Sequence, residues 1–282
     1  MNTLKNTLNI SPFAPNLGAV ITGVDLSTEI TEINLRKIKE AFHQYQVLFF
    51  QNQSEISPQN HIKLGKFFGD LHIHPAAPKM RGFPEIFEIH THKDSKISNG
   101  AEDFHSDVSC DKEPPLGTML QLHILPECGG DTMFANMYMA YQALSKPMQN
   151  FLSGLRAFHE SEHFYKDRYS NNNQGDSNKE YPSAIHPIIR THPVTNKKAL
   201  YVNKFFTTGI EGLTKQESKI ILEYLFAHCE KTEFQIRYKW NKMTWLFGII
   251  GAPFIKQFGI IFRMKGREGE LQLKETSHIK HS

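Results

Sequence analysis

Short apolar runs separated by polar turns bearing glycine or proline dominate this 282-residue chain, and a few stretches switch to helical spacing. Gly18 to Leu26 reads as a strand region punctuated by two glycines, and Val47-Leu48-Phe49-Phe50 as a continuous buried strand. Between them, Asn34 to Tyr45 places Leu35, Ile38, Ala41 and Phe42 at helical intervals. Ser57-Pro58 supplies a cap and a first-turn proline for a second helix. Ile62, Leu64, Phe67 and Phe68 are its apolar residues and Gly69 its stop. Strand-like runs recur at 86–89 and 117–124. Ala140 to Leu155 reads as helical with a break at Pro147, turning Leu144, Met148 and Leu152 inward. Residues 170–179 (SNNNQGDSNK) form a polar loop. Two more strands, 183–190 and 199–203, flank the turn-rich segment 191–198. Thr214 and Glu217 form a capping box ahead of a helix whose expected apolar face is Ile220, Ile221, Tyr224 and Leu225.

Many short strands with a few covering helices predict a mainly β domain with a jelly-roll core. No internal repeat or linker divides it, so one domain is expected over residues 1–242. Hydrophobic content of 39% and charged content of 22% are ordinary for a soluble globular protein. The cysteines Cys110, Cys128 and Cys229 lack the paired spacing of a disulfide framework or a cysteine-rich zinc site, and a cytoplasmic location is expected. The first twenty residues have no continuous apolar run, so no signal peptide is expected. The net charge of +3 arises entirely in residues 243–282, which carry six Lys/Arg against three Glu. The main domain is therefore balanced, and no nucleic-acid partner is expected.

His105-Ser106-Asp107 is the most chemically pointed stretch. On an extended segment, residues i and i+2 share a face, so this imidazole and carboxylate can converge. They would be two of the three ligands of a 2-His-1-carboxylate site for non-haem Fe(II). A bare H-x-D is more often an ordinary polar pair. Its context is specific: Pro114-Pro115-Leu116-Gly117 follows, then Gly129-Gly130-Asp131-Thr132, then Ala135-Asn136-Met137-Tyr138. With Phe68-Gly69-Asp70-Leu71-His72-Ile73-His74-Pro75 and Phe234-Gln235-Ile236-Arg237-Tyr238-Lys239-Trp240, the chain resembles the TauD/TfdA family of Fe(II)/2-oxoglutarate-dependent dioxygenases, in its taurine dioxygenase branch. The resemblance runs from Ser11-Pro12 to about Lys242.

The resemblance implies a double-stranded β-helix (jelly-roll) core and oxidative decarboxylation of 2-oxoglutarate to succinate and CO2, coupled to hydroxylation of a small organic anion such as taurine or another sulfonate by O2. It implies that His105 and Asp107 bind iron and that Thr132 donates to the distal carboxylate of 2-oxoglutarate. It implies that His74 meets the substrate anion and that Phe206 walls the pocket. No catalytic residue beyond the metal site is implied, and self-association is left open. Read without the resemblance, Thr132 is a turn residue after Gly-Gly, His74 a hydrogen-bonded histidine and Phe206 a core residue. Ala77 and Ala101 stand where taurine-handling members place Tyr and Asn, which counts against taurine itself.

After Lys242 the resemblance stops. The family continues with a strand carrying W-D-N-R, then the distal iron histidine, then arginines for 2-oxoglutarate and substrate. Residues 243–282 contain no Asp and no Asn. Read one nucleotide earlier, with wobble bases chosen to fit, they become a family-like ending (NDLAIWDNRGTIHKAV and onward) closed by a stop. The histidine then falls at the position of Ile255 and the arginines at Gly266 and Glu270. The sequence thus predicts an aberrant tail from a frameshift, with the last strands missing or altered, the third iron ligand absent and an open sheet edge. Two other readings of the tail are a membrane span over Met243–Phe262 and a replacement ligand from His278 or His281. Pro253, Lys256 and Gln257 interrupt the first, so no membrane partner is expected.

Overall fold

A computed structural model describes residues 7–74, 79–88, 103–122, 129–163, 165–166, 181–241, 244–249, 253–257 and 269–274; for the last two ranges it describes the strands alone. In chain order the strands begin with β1 (Asn9–Pro12), β2 (Ala19–Thr22), β3 (Val47–Phe50), β4 (Leu71–His72), β5 (Lys79–Met80), β6 (Phe83–Glu88) and β7 (Pro115–Gln121). There follow β8 (Thr132–Asn136), β9 (Arg156–Glu160), β10 (Ser183–Pro187), β11 (Ile189–Thr191), β12 (Lys198–Leu200) and β13 (Thr207–Ile210). The last are β14 (Gln235–Tyr238), β15 (Trp245–Ile249), β16 (Pro253–Gln257) and β17 (Gly269–Lys274).

The large sheet runs β1-β2-β3-β15-β7-β17-β6-β5, with β4 pairing to β17. Three smaller sheets run β14-β8-β16, β10-β9-β13 and β11-β12. Pairing is antiparallel except for β2 on β3, whose crossover carries the helix Glu32–Tyr45. The large sheet packs on β14-β8-β16: Val47, Phe49, Leu120 and Leu246 meet Phe134, Ile236 and Tyr238 in one buried cluster. Phe49 stacks on Tyr238 at 3.8 Å between ring centroids. On its other face, Phe42 stacks on Phe247 at 3.9 Å and Phe68 meets Phe247 edge-on. Buried from both sides, β3 has no polar position, which is why it reads as an unbroken apolar run. Each such side chain contributes roughly 1.5–3 kcal/mol on burial.

Most elements form where the periodicity places them. Ser57 caps the helix Pro58–Phe68, accepting from the Asn60 N–H, and Thr31 caps Glu32–Tyr45 in the same way. The stretch expected to break at Pro147 is two helices, Met137–Gln142 and Lys146–Leu152, the second capped by Ser145 with proline in its first turn. The capping box forms at Thr214 with Glu217, but the helix Lys215–Cys229 is rotated from the expected face. Ile220 and Tyr224 are exposed, while Ser218, Leu222, Leu225 and Cys229 are buried. Ser218 turns inward because its Oγ accepts the Ile210 N–H at 3.1 Å, a polar anchor that hydrophobicity alone cannot reveal.

The tail alters the final strands without removing them. β15 lies between β3 and β7, pairing Trp245 with Phe50 and with Gln121, so the expected open edge is filled there. Trp-Leu-Phe-Gly-Ile is a continuous apolar run, suited to a slot covered on both faces. Gly117 permits this approach: a Cβ there would stand 2.8 Å from the Gly248 carbonyl oxygen. The fit is imperfect in its polar atoms. Thr244 Oγ1 and Trp245 Nε1 are buried with no hydrogen-bond partner among the described residues. Thr244→Val is therefore expected to raise unfolding free energy by about 1–2 kcal/mol in denaturant titration, because a lone buried hydroxyl carries its full desolvation cost. A loss of stability would mean that the hydroxyl is satisfied. Among the described residues no helix is long and apolar enough to cross a membrane.

Candidate functional site

His105 makes an isolated bridge and Asp107 opens the turn that follows, so the pair does not ride one continuous strand as the triplet spacing suggested. The side chains nevertheless meet, His105 Nε2 to Asp107 Oδ1 at 3.2 Å, each about one-eighth exposed. Both are held from behind. His105 Nδ1 donates to the Asp103 carbonyl at 2.8 Å, which aims Nε2 at the carboxylate. Thr118 Oγ1 donates to Asp107 Oδ2 at 2.8 Å. Burial opposes the charged form of each group. The hydrogen bond and attraction between them outweigh it, raising the His105 pKa and lowering that of Asp107, with Thr118 and the nearby His74 adding to the latter.

The turn after Asp107 is pinned by residues to which the sequence alone assigns no role. Val108 adopts a left-handed backbone with φ of 48°. His72 Nε2 donates to Asp111 Oδ2 at 3.0 Å, a bond that holds the Asp111 carboxyl below its ordinary range against partial burial. His186 Nε2 donates to the Asp111 carbonyl at 2.9 Å. Ser109 Oγ accepts from Asn203 Nδ2 at 3.0 Å and lies 3.0 Å from His159 Nδ1. These partners come from β4, β10, β9 and the approach to β13, so only the folded chain gathers them.

Phe206 packs with Val108, Cys110 and Tyr165 and is almost fully buried. It can act as a wall and as core at once. Phe205 meets the His105 ring at 5.1 Å between centroids, an aromatic neighbour that went unnoticed in the sequence. His74 approaches Tyr165 edge-on at 5.8 Å and lies near enough to Asp107 for its charge to be felt. Thr132 starts β8 in the small sheet, after Gly129 and Gly130, both at positive φ that glycine adopts without strain. Its Oγ1 accepts from Trp240 Nε1 at 2.8 Å, leaving the hydroxyl hydrogen for another acceptor such as a carboxylate. Ala77, Ala101, Gly266, His278, His281 and the 170–179 loop lie outside the described residues.

Two well-supported donors suit a divalent metal, but a facial triad needs a third. Among the described residues no group of three metal-binding side chains occurs. Ile255 lies in β16, paired opposite Phe134 of β8, and an isoleucine has no donor atom. The described residues therefore fit part of a non-haem iron site and among themselves do not complete it.

A jelly-roll of this topology with an H-x-D pair on a pinned turn defines a class, the 2-oxoglutarate-dependent dioxygenase scaffold. Residues 9–243 match the model of the taurine catabolism dioxygenase TauD, TfdA family, and the chain belongs to that family. It is 33% identical over 246 residues to an alpha-ketoglutarate-dependent sulfonate dioxygenase of Saccharomyces cerevisiae, covering 83% of this chain and 58% of that one. It is 27% identical over 241 residues to an alpha-ketoglutarate-dependent sulfate ester dioxygenase of Pseudomonas putida, covering 83% and 78%. The crystal structure of a taurine dioxygenase from Burkholderia xenovorans superposes with a TM-score of 0.79 at 26% identity, covering 95% of this chain and 90% of that one. The chain spans only about three fifths of the yeast relative's length.

Proposed function

We propose that this chain descends from, and retains the scaffold of, an Fe(II)- and 2-oxoglutarate-dependent dioxygenase acting on a small organosulfur anion, a sulfonate or sulfate ester. The supported His105–Asp107 pair carries the reading. His105 and Asp107 would hold the metal, whose redox chemistry would activate O2. Thr132 would donate its free hydroxyl hydrogen to the 2-oxoglutarate carboxylate. His74 would face the substrate anion and Phe206 would bound the pocket. The names of the relatives point to a sulfonate or sulfate ester.

A second reading starts from one observation. The family match ends at residue 243, and Ile255 and Glu270 then stand where a ligating histidine and an arginine are expected. On this reading residues 243–282 are a frameshifted tail, and the protein as encoded is a dioxygenase scaffold with an incomplete centre. Anaerobic titration of the 282-residue chain with Fe(II) and 2-oxoglutarate separates the two. A metal-to-ligand charge-transfer band with sulfonate-dependent succinate formation in air means an assembled site. On the second reading neither signal is expected, since a ligand and a charge-assisted carboxylate contact would be missing together.

A further inference from the structure

Asn203 sits between the two halves of the candidate site. It is buried, and every polar atom of its side chain is engaged. Its Oδ1 accepts from the Phe205 N–H at 3.1 Å and the Phe206 N–H at 2.8 Å. Its Nδ2 donates to Ser109 Oγ at 3.0 Å, two residues beyond Asp107. Its own N–H donates to Thr207 Oγ1 at 2.9 Å, and its carbonyl accepts from the Thr207 N–H at 3.0 Å, which closes the turn into β13. An amide offers an acceptor and a donor on opposite sides, so one planar group can tie two chain segments at a set distance. Ser109 is fully buried and has His159 Nδ1 as its other neighbour, so it cannot follow Asn203 if the amide moves.

We infer that Asn203 is a positioning residue that locks the aromatic wall Phe205–Phe206 to the turn carrying Asp107, so that the wall and the metal-binding pair keep one spacing. The inference rests on the proposed assignment of those two halves, but the clamp itself is measurable without metal or substrate. Phe205 lies over the His105 ring, so slippage of the 203–206 turn would shift the cover of that imidazole. Precise placement of a site by such supporting contacts is what separates a working constellation from a loose one.

Hydrogen–deuterium exchange on the full-length, metal-free chain tests this. Ser109→Ala touches neither the Phe205 nor the Phe206 amide, yet it is expected to speed the exchange of both by about tenfold, because it frees the far end of the clamp. Asn203→Ala is expected to do the same at 105–109, and the double variant to exceed the stronger single variant by less than about twofold, as coupled partners do. Asn203→Asp keeps the acceptor for both amides and can receive the Ser109 hydroxyl hydrogen, so it is expected to restore most of the protection lost in Asn203→Ala. Should Ser109→Ala fail to fold, Ser109→Cys keeps the volume while weakening the acceptor. Unchanged exchange at 205–206 in a folded Ser109 variant, or multiplicative effects in the double variant, would overturn the clamp. Failure of the iron assignment would show instead as a missing charge-transfer band with the clamp intact.

Discussion

If residues 243–282 are a frameshifted tail, translating them one nucleotide earlier is expected to raise Fe(II) affinity by about 100-fold or more and to strengthen 2-oxoglutarate binding to match. The change places a histidine on β16, the strand that pairs with the Thr132-bearing β8 at Gln257 opposite Thr132. It also places arginines at the positions of Gly266 and Glu270, where the resemblance implies one partner for the 2-oxoglutarate carboxylate and one for the substrate anion. The two contributions can be separated. Ile255→His alone should strengthen metal binding, followed by calorimetry under nitrogen, with little gain in 2-oxoglutarate affinity. The full shift should add the charge-transfer band and coupled succinate formation. A frame-restored protein that folds and still gives no band would sink the dioxygenase assignment, whereas an active 282-residue chain would sink the frameshift.

Acid should unfold this protein early. His159, His186 and His192 are buried, and each is pushed far below the ordinary histidine value of 6.5. Burial is the main cause in all three. For His159, lowered to about 3, the neighbouring His186 adds to it. For His186, lowered to about 4, Arg190 adds to it, and for His192, also lowered to about 4, His43 adds to it. The folded state keeps these rings neutral while the unfolded chain protonates them below 6.5, so the unfolded state binds more protons across that window. Stability is therefore fully present above pH 6.5 and falls as pH drops toward the folded values, by about 1.4 kcal/mol per histidine per pH unit. Three such groups can consume most of a typical domain stability of roughly 5–15 kcal/mol before about pH 4. Denaturant midpoints measured from neutral pH downward should fall steeply from about pH 6, and His192→Asn should flatten the slope. A flat profile would show that the rings are protonated in the fold. Because His159 and His186 brace the 107–111 turn, that turn should loosen as they charge.

The site was legible in uneven portions. His105, Asp107 and Thr132 stood out because family motifs surround them, and the Gly-Gly before Thr132 is a backbone requirement that shows in any sequence. The helix caps at Ser57 and Thr214 were legible because they are local, since a cap satisfies groups within three residues of itself, whereas the caps at Thr31 and Ser145 emerged only in the structure. Asn203, Ser109 and Thr118 carry no role in the sequence, and Trp240 lies in a family motif without a partner assigned. Each acts through a partner between 11 and 108 residues away, and nothing about an isolated Asn or Ser marks it as a clamp. The buried face of Lys215–Cys229 was misread because a serine anchor overrode the apolar stripe.

By itself the sequence determined the strand-rich class, the helix starts at Ser57 and Thr214, the H-x-D pair and the point at which the family pattern stops, all properties of composition, short spacing or codon identity. Tertiary structure alone decided three other things. It brought His72, His159, His186 and Asn203 onto one turn. It seated β15 in the large sheet, where an apolar run fills a slot buried on both faces. It also held His105 and Asp107 3.2 Å apart across a turn rather than along a strand. The physical reason is range: caps and turns are settled by neighbours in the chain, whereas a buried polar network takes shape only when distant segments have lost their water and must satisfy one another.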